Sequence, residues 1–161
     1  MRQVADAHGR FTIDFPENWV VRWVGDGYLR LSDNAAHDGV VGIGPAGADG
    51  SRADVIVDVR IIPAPISASA AATNAENGLR RLAAYRSLQA GPYSIGGVPA
   101  YYRFFTHIAH GARVFQAQVY VTQGRQLYVL SGTTRTDRAQ IPRDFPLILR
   151  IIGTFRLLPQ R

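Results

Sequence analysis

The chain has 161 residues, 47% of them hydrophobic and 19% charged, the size and mixture of one folded domain with no room for a second. A formal net charge of +6 at pH 7 is too low, and the hydrophobic content too high, for a disordered chain, and no stretch reaches the roughly 18 unbroken apolar residues of a membrane helix. The sequence has no cysteine, so a packed core must hold it without disulfides.

Phe11, Ile13 and Phe15 alternate with Thr12 and Asp14, the period of a half-buried strand that Pro16 ends. Trp19–Val24 and Tyr28–Leu31 read as two short strands around a turn at Gly25-Asp26-Gly27. Val40–Ile43 is a further apolar run, Gly44–Arg52 a glycine-rich loop, and Val55–Ile62 a strand rich in β-branched residues. From Ser67 to Leu88 alanine dominates, with leucines at 79, 82 and 88, which predicts one long helix capped by Ser67 or Ser69. Asn77-Gly78 weakens that helix, through a kink there or a start as late as Thr73.

Gly91-Pro92 and Gly96-Gly97 lead into a three-stranded meander: Val98–Ile108, a turn at His110-Gly111, Arg113–Thr122, a turn at Gly124-Arg125, and Gln126–Thr134. Ile141, Phe145, Ile148, Leu149 and Ile152 then recur at helical spacing, with the helix proper starting near Asp144 and capped by Gly153. Thr154–Leu158 closes the chain as a strand. Strands, long helix, meander, helix and strand, without regular alternation, predict an α+β domain over 1–161 whose sheet is mostly antiparallel and flanked by helices.

At this point the pattern resembles the PsbP-like superfamily, which includes the extrinsic photosystem II protein, a Ran-binding yeast branch, and bacterial lipoproteins and secretion-linked chaperones. The resemblance rests on Phe11-Thr12-Ile13-Asp14-Phe15-Pro16-Glu17-Asn18-Trp19, Gly97-Val98-Pro99-Ala100-Tyr101, Gly124-Arg125-Gln126-Leu127-Tyr128-Val129-Leu130 and Ile152-Gly153-Thr154-Phe155-Arg156-Leu157. It implies an α/β/α sandwich, and it implies no common catalytic site, because such relatives share a scaffold and differ in partner. The metal-binding histidines of plant members match no local motif here.

Charge and motifs narrow the function classes. All 18 basic residues are arginines, with nine Arg against ten Asp and Glu in residues 1–100 and nine Arg against two Asp in 101–161. Those C-terminal arginines fall singly, without the stripe of a nucleic-acid site, so nucleic acid is not an expected partner. Met1–Arg10 lacks a signal-peptide apolar core; the chain as written reads as cytoplasmic, or as exported where a leader has been removed. Gly42-Ile43-Gly44-Pro45-Ala46-Gly47 fits a dinucleotide fingerprint in letters, but the loop continues where a helix should start. Asp49, Ser51 and Asp54 lack the glutamate that ends a calcium loop. His107 and His110 point to opposite faces of a strand. There is no nucleophile elbow, and glutamate occurs only at 17 and 76, so neither a hydrolase triad nor a glycosidase pair is expected. The reading is a non-enzymatic module without a cofactor or metal.

Two-residue turns at both hairpins fix the meander register: Arg103 opposite Gln118, Phe105 opposite Gln116, Gln118 opposite Ser131, Gln116 opposite Thr133. One face then carries Tyr101, Arg103, Phe105, His107, Gln116, Gln118, Tyr120, Ser131 and Thr133. The other carries Tyr102, Phe104, Ile108, Phe115, Ala117, Val119, Val121, Tyr128 and Leu130, and is expected to be the core beneath the long helix. The polar-aromatic face either grips a partner or small ligand, with Arg103 available to an anion, or pairs its polar groups across strands. The function that follows is assembly with a protein partner through a sheet face or edge, or alternatively carriage of an apolar or anionic small molecule on that face.

Overall fold

Alternation places Phe11, Ile13 and Phe15 at 1% exposure or less, and their strand is the centre of a small sheet. In the computed structural model, which describes residues 1–25, 36–46, 54–136 and 144–159, this strand, β2 (Phe11–Phe15), lies between β1 (Arg2–Ala5) and β10 (Arg156–Leu157), both antiparallel to it. Among the described residues the large sheet has seven antiparallel strands. Their order is β3 (Trp19–Gly25), β4 (Ala36–Pro45), β5 (Val55–Ile61), β9 (Gln126–Thr136), β8 (Ala112–Gln123), β7 (Val98–Ala109) and β6 (Arg86–Ile95). Helix α1 (Ala68–Leu79) covers one face, and α2 (Phe145–Ile152) with the small sheet covers the other. The fold is the expected α/β/α sandwich.

The meander register is the expected one at every pair, Arg103–Gln118, Phe105–Gln116, Gln118–Ser131 and Gln116–Thr133 included. Turn chemistry explains this. His110 (φ 51°) and Gly111 (φ 75°) are both left-handed, the two-residue turn that matches strand twist, and Gly124 (φ 58°) opens the next.

Other expectations shift. The long helix ends at Leu79, not Leu88. Ser67 caps it, its Oγ accepting from the Ala70 N–H at 3.1 Å. Beyond Gly78 tight turns carry the chain to Tyr85. Arg86–Ile95 is then a further strand, where the helix was expected to run to Leu88 and Gly91-Pro92 only to lead into the meander. Pro92 is tolerated because β6 is a sheet edge. The apolar run at 40–43 extends to Ala36–Pro45, so Gly42 and Gly44 of the fingerprint-like stretch are strand residues. Gly153 is the α2 cap, with an ordinary φ of −62°, and the last strand is only Arg156–Leu157. The turn expected at 25–27, the strand at 28–31 and residues 47–52 of the expected loop lie outside the described residues, apart from Gly25, which ends β3.

The main core lies between the large sheet and the layer of α2 and β2. Val55, Val57, Val59, Ala117, Tyr128 and Leu130 meet Phe11, Ile13, Phe15, Ile148, Ile151 and Phe155 there. A buried ion network joins the two sheets at one end. Arg10 donates to both carboxylate oxygens of Asp6, from Nε at 2.6 Å and Nη2 at 3.1 Å, and from Nη1 to Asp38 Oδ2 at 2.5 Å. Arg10 and Asp6 are at most 5% exposed, so their charges are matched by one another and not by water.

Candidate functional site

The polar-aromatic face exists as a surface of the sheet, but the long helix lies on it and not on the face of Phe104 and Val119. That corrects the expected placement. Ala71 and Ala72 of α1 pack with Tyr120, Leu127 and Val129, while Ile66, Ala75 and Tyr101 flank them. Alanine on the helix lets it sit close. The apolar side chains of the opposite face are covered instead by α2 and the small sheet.

Arg103 is 4% exposed. Its Nη1 donates to the Ala72 carbonyl at 3.1 Å, and its Nη2 lies 3.1 Å from Glu76 Oε2. The guanidinium therefore fastens α1 to β7 and is not open to an anion. Phe105 is fully buried, between the ring of Tyr85 at 5.5 Å and that of His107 at 6.0 Å. Gln118 is held at both ends: its Nε2 donates to Ser131 Oγ at 3.3 Å and its Oε1 accepts from the Tyr120 hydroxyl. The Gln118–Ser131 bond crosses from β8 to β9, while the Tyr120–Gln118 bond runs along β8. Burial pushes the Tyr120 hydroxyl well above the ordinary tyrosine range, against the nearby charges of Arg103 and Arg60. Tyr101, His107 and Gln116 are half-buried.

Part of the face stays open. Beside α1, Gln118 and Tyr120 form the floor of a cavity of about 280 Å3 with Arg60, Ala75, Leu127 and Val129. A second cavity, of about 580 Å3, shares Arg60, Ala75 and Leu127 and adds Arg125 and Asn74. Arg60 was missed by sequence reasoning, because β5 joins the meander next to β9 only through a long-range pairing, Arg60 opposite Leu127. Glu76 was likewise missed as the partner of Arg103.

The opposite face has a groove of about 390 Å3 between the edge of the sheet and α2, lined by Tyr93, Tyr102, Phe104, Val119, Leu149 and Ile152. No sequence signal set Tyr93 beside α2, because β6 was not visible as a strand.

Among the described residues no three metal-ligating side chains cluster, and His110 stands exposed in its turn. No described helix is long and apolar enough to cross a membrane.

No protein-family model and no curated protein matches the sequence. Solved structures do match in fold. The chain is similar to cyanobacterial PsbP from Synechocystis, with 13% identity and a TM-score of 0.61 over 98% of this chain and 92% of that one. It is also similar to LpqN, described as involved in cell envelope biogenesis of Mycobacterium tuberculosis, with 12% identity and a TM-score of 0.63 over 98% and 90%. A Bacteroides thetaiotaomicron structure matches with 11% identity and a TM-score of 0.60, over 98% of this chain and 48% of the other. The fold of this chain is PsbP-like, and none of these descriptions names an enzyme.

Proposed function

We propose that this PsbP-like chain is a single non-catalytic domain that assembles with a protein partner along the β6 edge of its large sheet. The observation that carries the reading is the edge itself. β6 is ten residues long, pairs on one side with β7 and on the other with no described strand, and exposes eight of its residues. Leu88 and Tyr93 on it are 46% and 44% exposed. A row of backbone donors and acceptors flanked by apolar side chains is what an added strand recognises: main-chain bonds give affinity and alternate side chains give specificity. Scaffold similarity to proteins not described as enzymes supports the same class.

The test is site-specific photocrosslinking in producing cells, with the crosslinker in place of Leu88 and, as a control, in place of exposed Asn74 on α1. A discrete protein adduct at 88, absent at 74 and competed by untagged domain, supports edge recognition. An adduct at 74 alone moves the partner to the α1 face and overturns it.

A second reading has its own support. The open cavity floored by Gln118 and Tyr120 has Arg60 at its side, a guanidinium whose Nε pairs with Asp58 at 2.8 Å, and that positive edge supports carriage of a small anionic molecule. A co-purifying anion that is lost from an Arg60→Gln variant favours this carrier reading.

A further inference from the structure

Gly96 (φ 58°) and Gly97 (φ 77°) form the two-residue turn between β6 and β7, so the flanking pair Ile95–Val98 exchanges both of its backbone bonds. Alternation then directs the backbone groups of Tyr93, Gly91 and Gln89 to β7, and those of Ser94, Pro92 and Ala90 out of the sheet. The open row therefore offers carbonyls at 90, 92 and 94 but N–H groups only at Ala90 and Ser94, since Pro92 has none. A donor missing from the middle of the row weakens pairing with an arbitrary strand. Selection of the right one falls to the side chains around it.

Those surroundings are cationic. Residues 77–136, which run from the end of α1 through β9, contain seven arginines and no aspartate or glutamate. Arginine also stands at both ends of the β6 edge. Arg86 is the exposed first residue of β6, and exposed Arg81 lies in the tight turns that lead into it. At the other end, the Cδ of Arg156 lies 2.9 Å from where a Cβ on Gly96 would be, so this arginine rests on the β6–β7 turn. Among the described residues none of these three has a carboxylate partner. Between the two ends stand the exposed apolar side chains of Leu88 and Tyr93.

Resting on the edge reading, we propose that the partner segment added to β6 is an acidic extended peptide. Carboxylates at its two ends meet Arg81 with Arg86 and, opposite, Arg156; aliphatic residues between them meet Leu88 and Tyr93. Opposite charge steers such a segment to this edge and turns basic strands away, while backbone bonds and apolar contacts hold it.

The test is fluorescence anisotropy titration of the whole chain with three labelled peptides that share a Val-Thr-Val-Thr-Val centre and carry Asp-Glu, Asn-Gln or Lys-Lys at both ends. In low salt the Asp-Glu peptide should bind saturably and at least about tenfold more tightly than the Asn-Gln peptide, with the Lys-Lys peptide weakest. That preference should shrink in roughly 0.5 M salt, and in a variant combining Arg81→Gln with Arg86→Gln. Neither side chain makes a hydrogen bond or ion pair among the described residues, so the fold is not at stake. A second measurement uses the unaltered protein: N-methylation of alternate residues of the Asp-Glu peptide should abolish binding in one parity and spare it in the other. Equal affinity for the Asp-Glu and Asn-Gln peptides, the same response in both parities, or no saturable binding overturns the proposal. So does displacement of the Asp-Glu peptide by an equal concentration of single-stranded DNA, which would make the patch a general polyanion site. Equal peptide affinities beside a protein adduct at Leu88 overturn only the acidic partner, whereas the absence of an adduct at 88 overturns the edge itself.

Discussion

A Cβ placed on Gly132 would stand 2.1 Å from Ile148 Cγ2 and 2.9 Å from Ile152 Cδ1. Helix α2 therefore lies directly on the backbone of β9, and Gly132 is fixed by this approach and not by its φ. Its neighbours in the same row of the sheet are Ala117 and Val55, so small side chains make the bed in which the helix rests. Gly132→Ala should force α2 outward and lower stability by about 1–3 kcal/mol through overpacking. Urea unfolding monitored by circular dichroism measures it, and a midpoint equal to the parent protein's would refute the contact.

The Asp6–Arg10–Asp38 network predicts acid sensitivity. Burial alone would raise the Asp6 carboxyl, but the Arg10 hydrogen bonds and charge outweigh it and hold the group below the usual carboxylate value of 3.8. A carboxyl lowered in the folded state contributes stability that is present at neutral pH and is lost as pH falls below about 4 and through the lowered value. The urea midpoint should therefore drop on acidification, and Asp6→Asn should flatten that dependence while starting from lower stability. Arg10→Met leaves Asp6 buried without its partner and should cost about 3–5 kcal/mol at neutral pH.

At the alkaline end Tyr120 acts in the opposite sense. Burial raises its hydroxyl well above the ordinary 10.0, so the unfolded chain releases this proton first and stability falls as pH rises beyond about 10. Burial raises Tyr128 and Tyr85 as well, so tyrosinate absorbance should show fewer than the seven tyrosines ionising before unfolding, and Tyr120→Phe should lower the number withheld by one. A full complement ionising before unfolding would contradict the burial.

Arg103 predicts a docking role and not a ligand role. Arg103→Met removes the bonds to Ala72 and Glu76 and should destabilise by about 1–3 kcal/mol. Glu76 is about a quarter exposed, so Glu76→Gln should cost less, under about 1 kcal/mol. Amide exchange in α1 is the discriminating readout: protection should fall there before it falls in the meander.

The meander was legible because its turns are two residues long and declare themselves as His110-Gly111 and Gly124-Arg125, after which pairing is arithmetic. The helix over 68–79 was legible in alanine content, but its end was not, since Leu82 and Leu88 continue the composition while the chain already turns. β6 was hidden because an edge strand tolerates Pro92 and Gly91 and shows no alternation when eight of its ten residues face solvent. The face on which each helix sits could not be read from the sheet alone. Both faces of the meander carry large aromatic residues, and the choice is made by small contacts remote in sequence, alanines of α1 against Tyr120 and Gly132 under Ile148. The same limit governed the candidate site: Gln118 and Tyr120 stand in the expected register on the expected sheet face, while Arg60 and Tyr93 reach the cavities through pairings that leave no local trace.

The pairing of Thr12 with Arg156 and of Phe11 with Leu157 sets a timetable. Strand β2 supplies three of the most deeply buried aromatic and aliphatic side chains, yet one of its edges is closed only by residues near the far end of the chain. During synthesis the sets β3–β4–β5 and β6–β7–β8–β9 can each zip hairpin by hairpin, whereas the β5–β9 pairing that joins them and the layer that seals the core each need a long loop to close, the longer one waiting for Arg156 and Leu157. Until then Val55, Val57 and Leu130 face an unfinished wall, and the nascent chain passes through a stage in which its stickiest surface is its future interior.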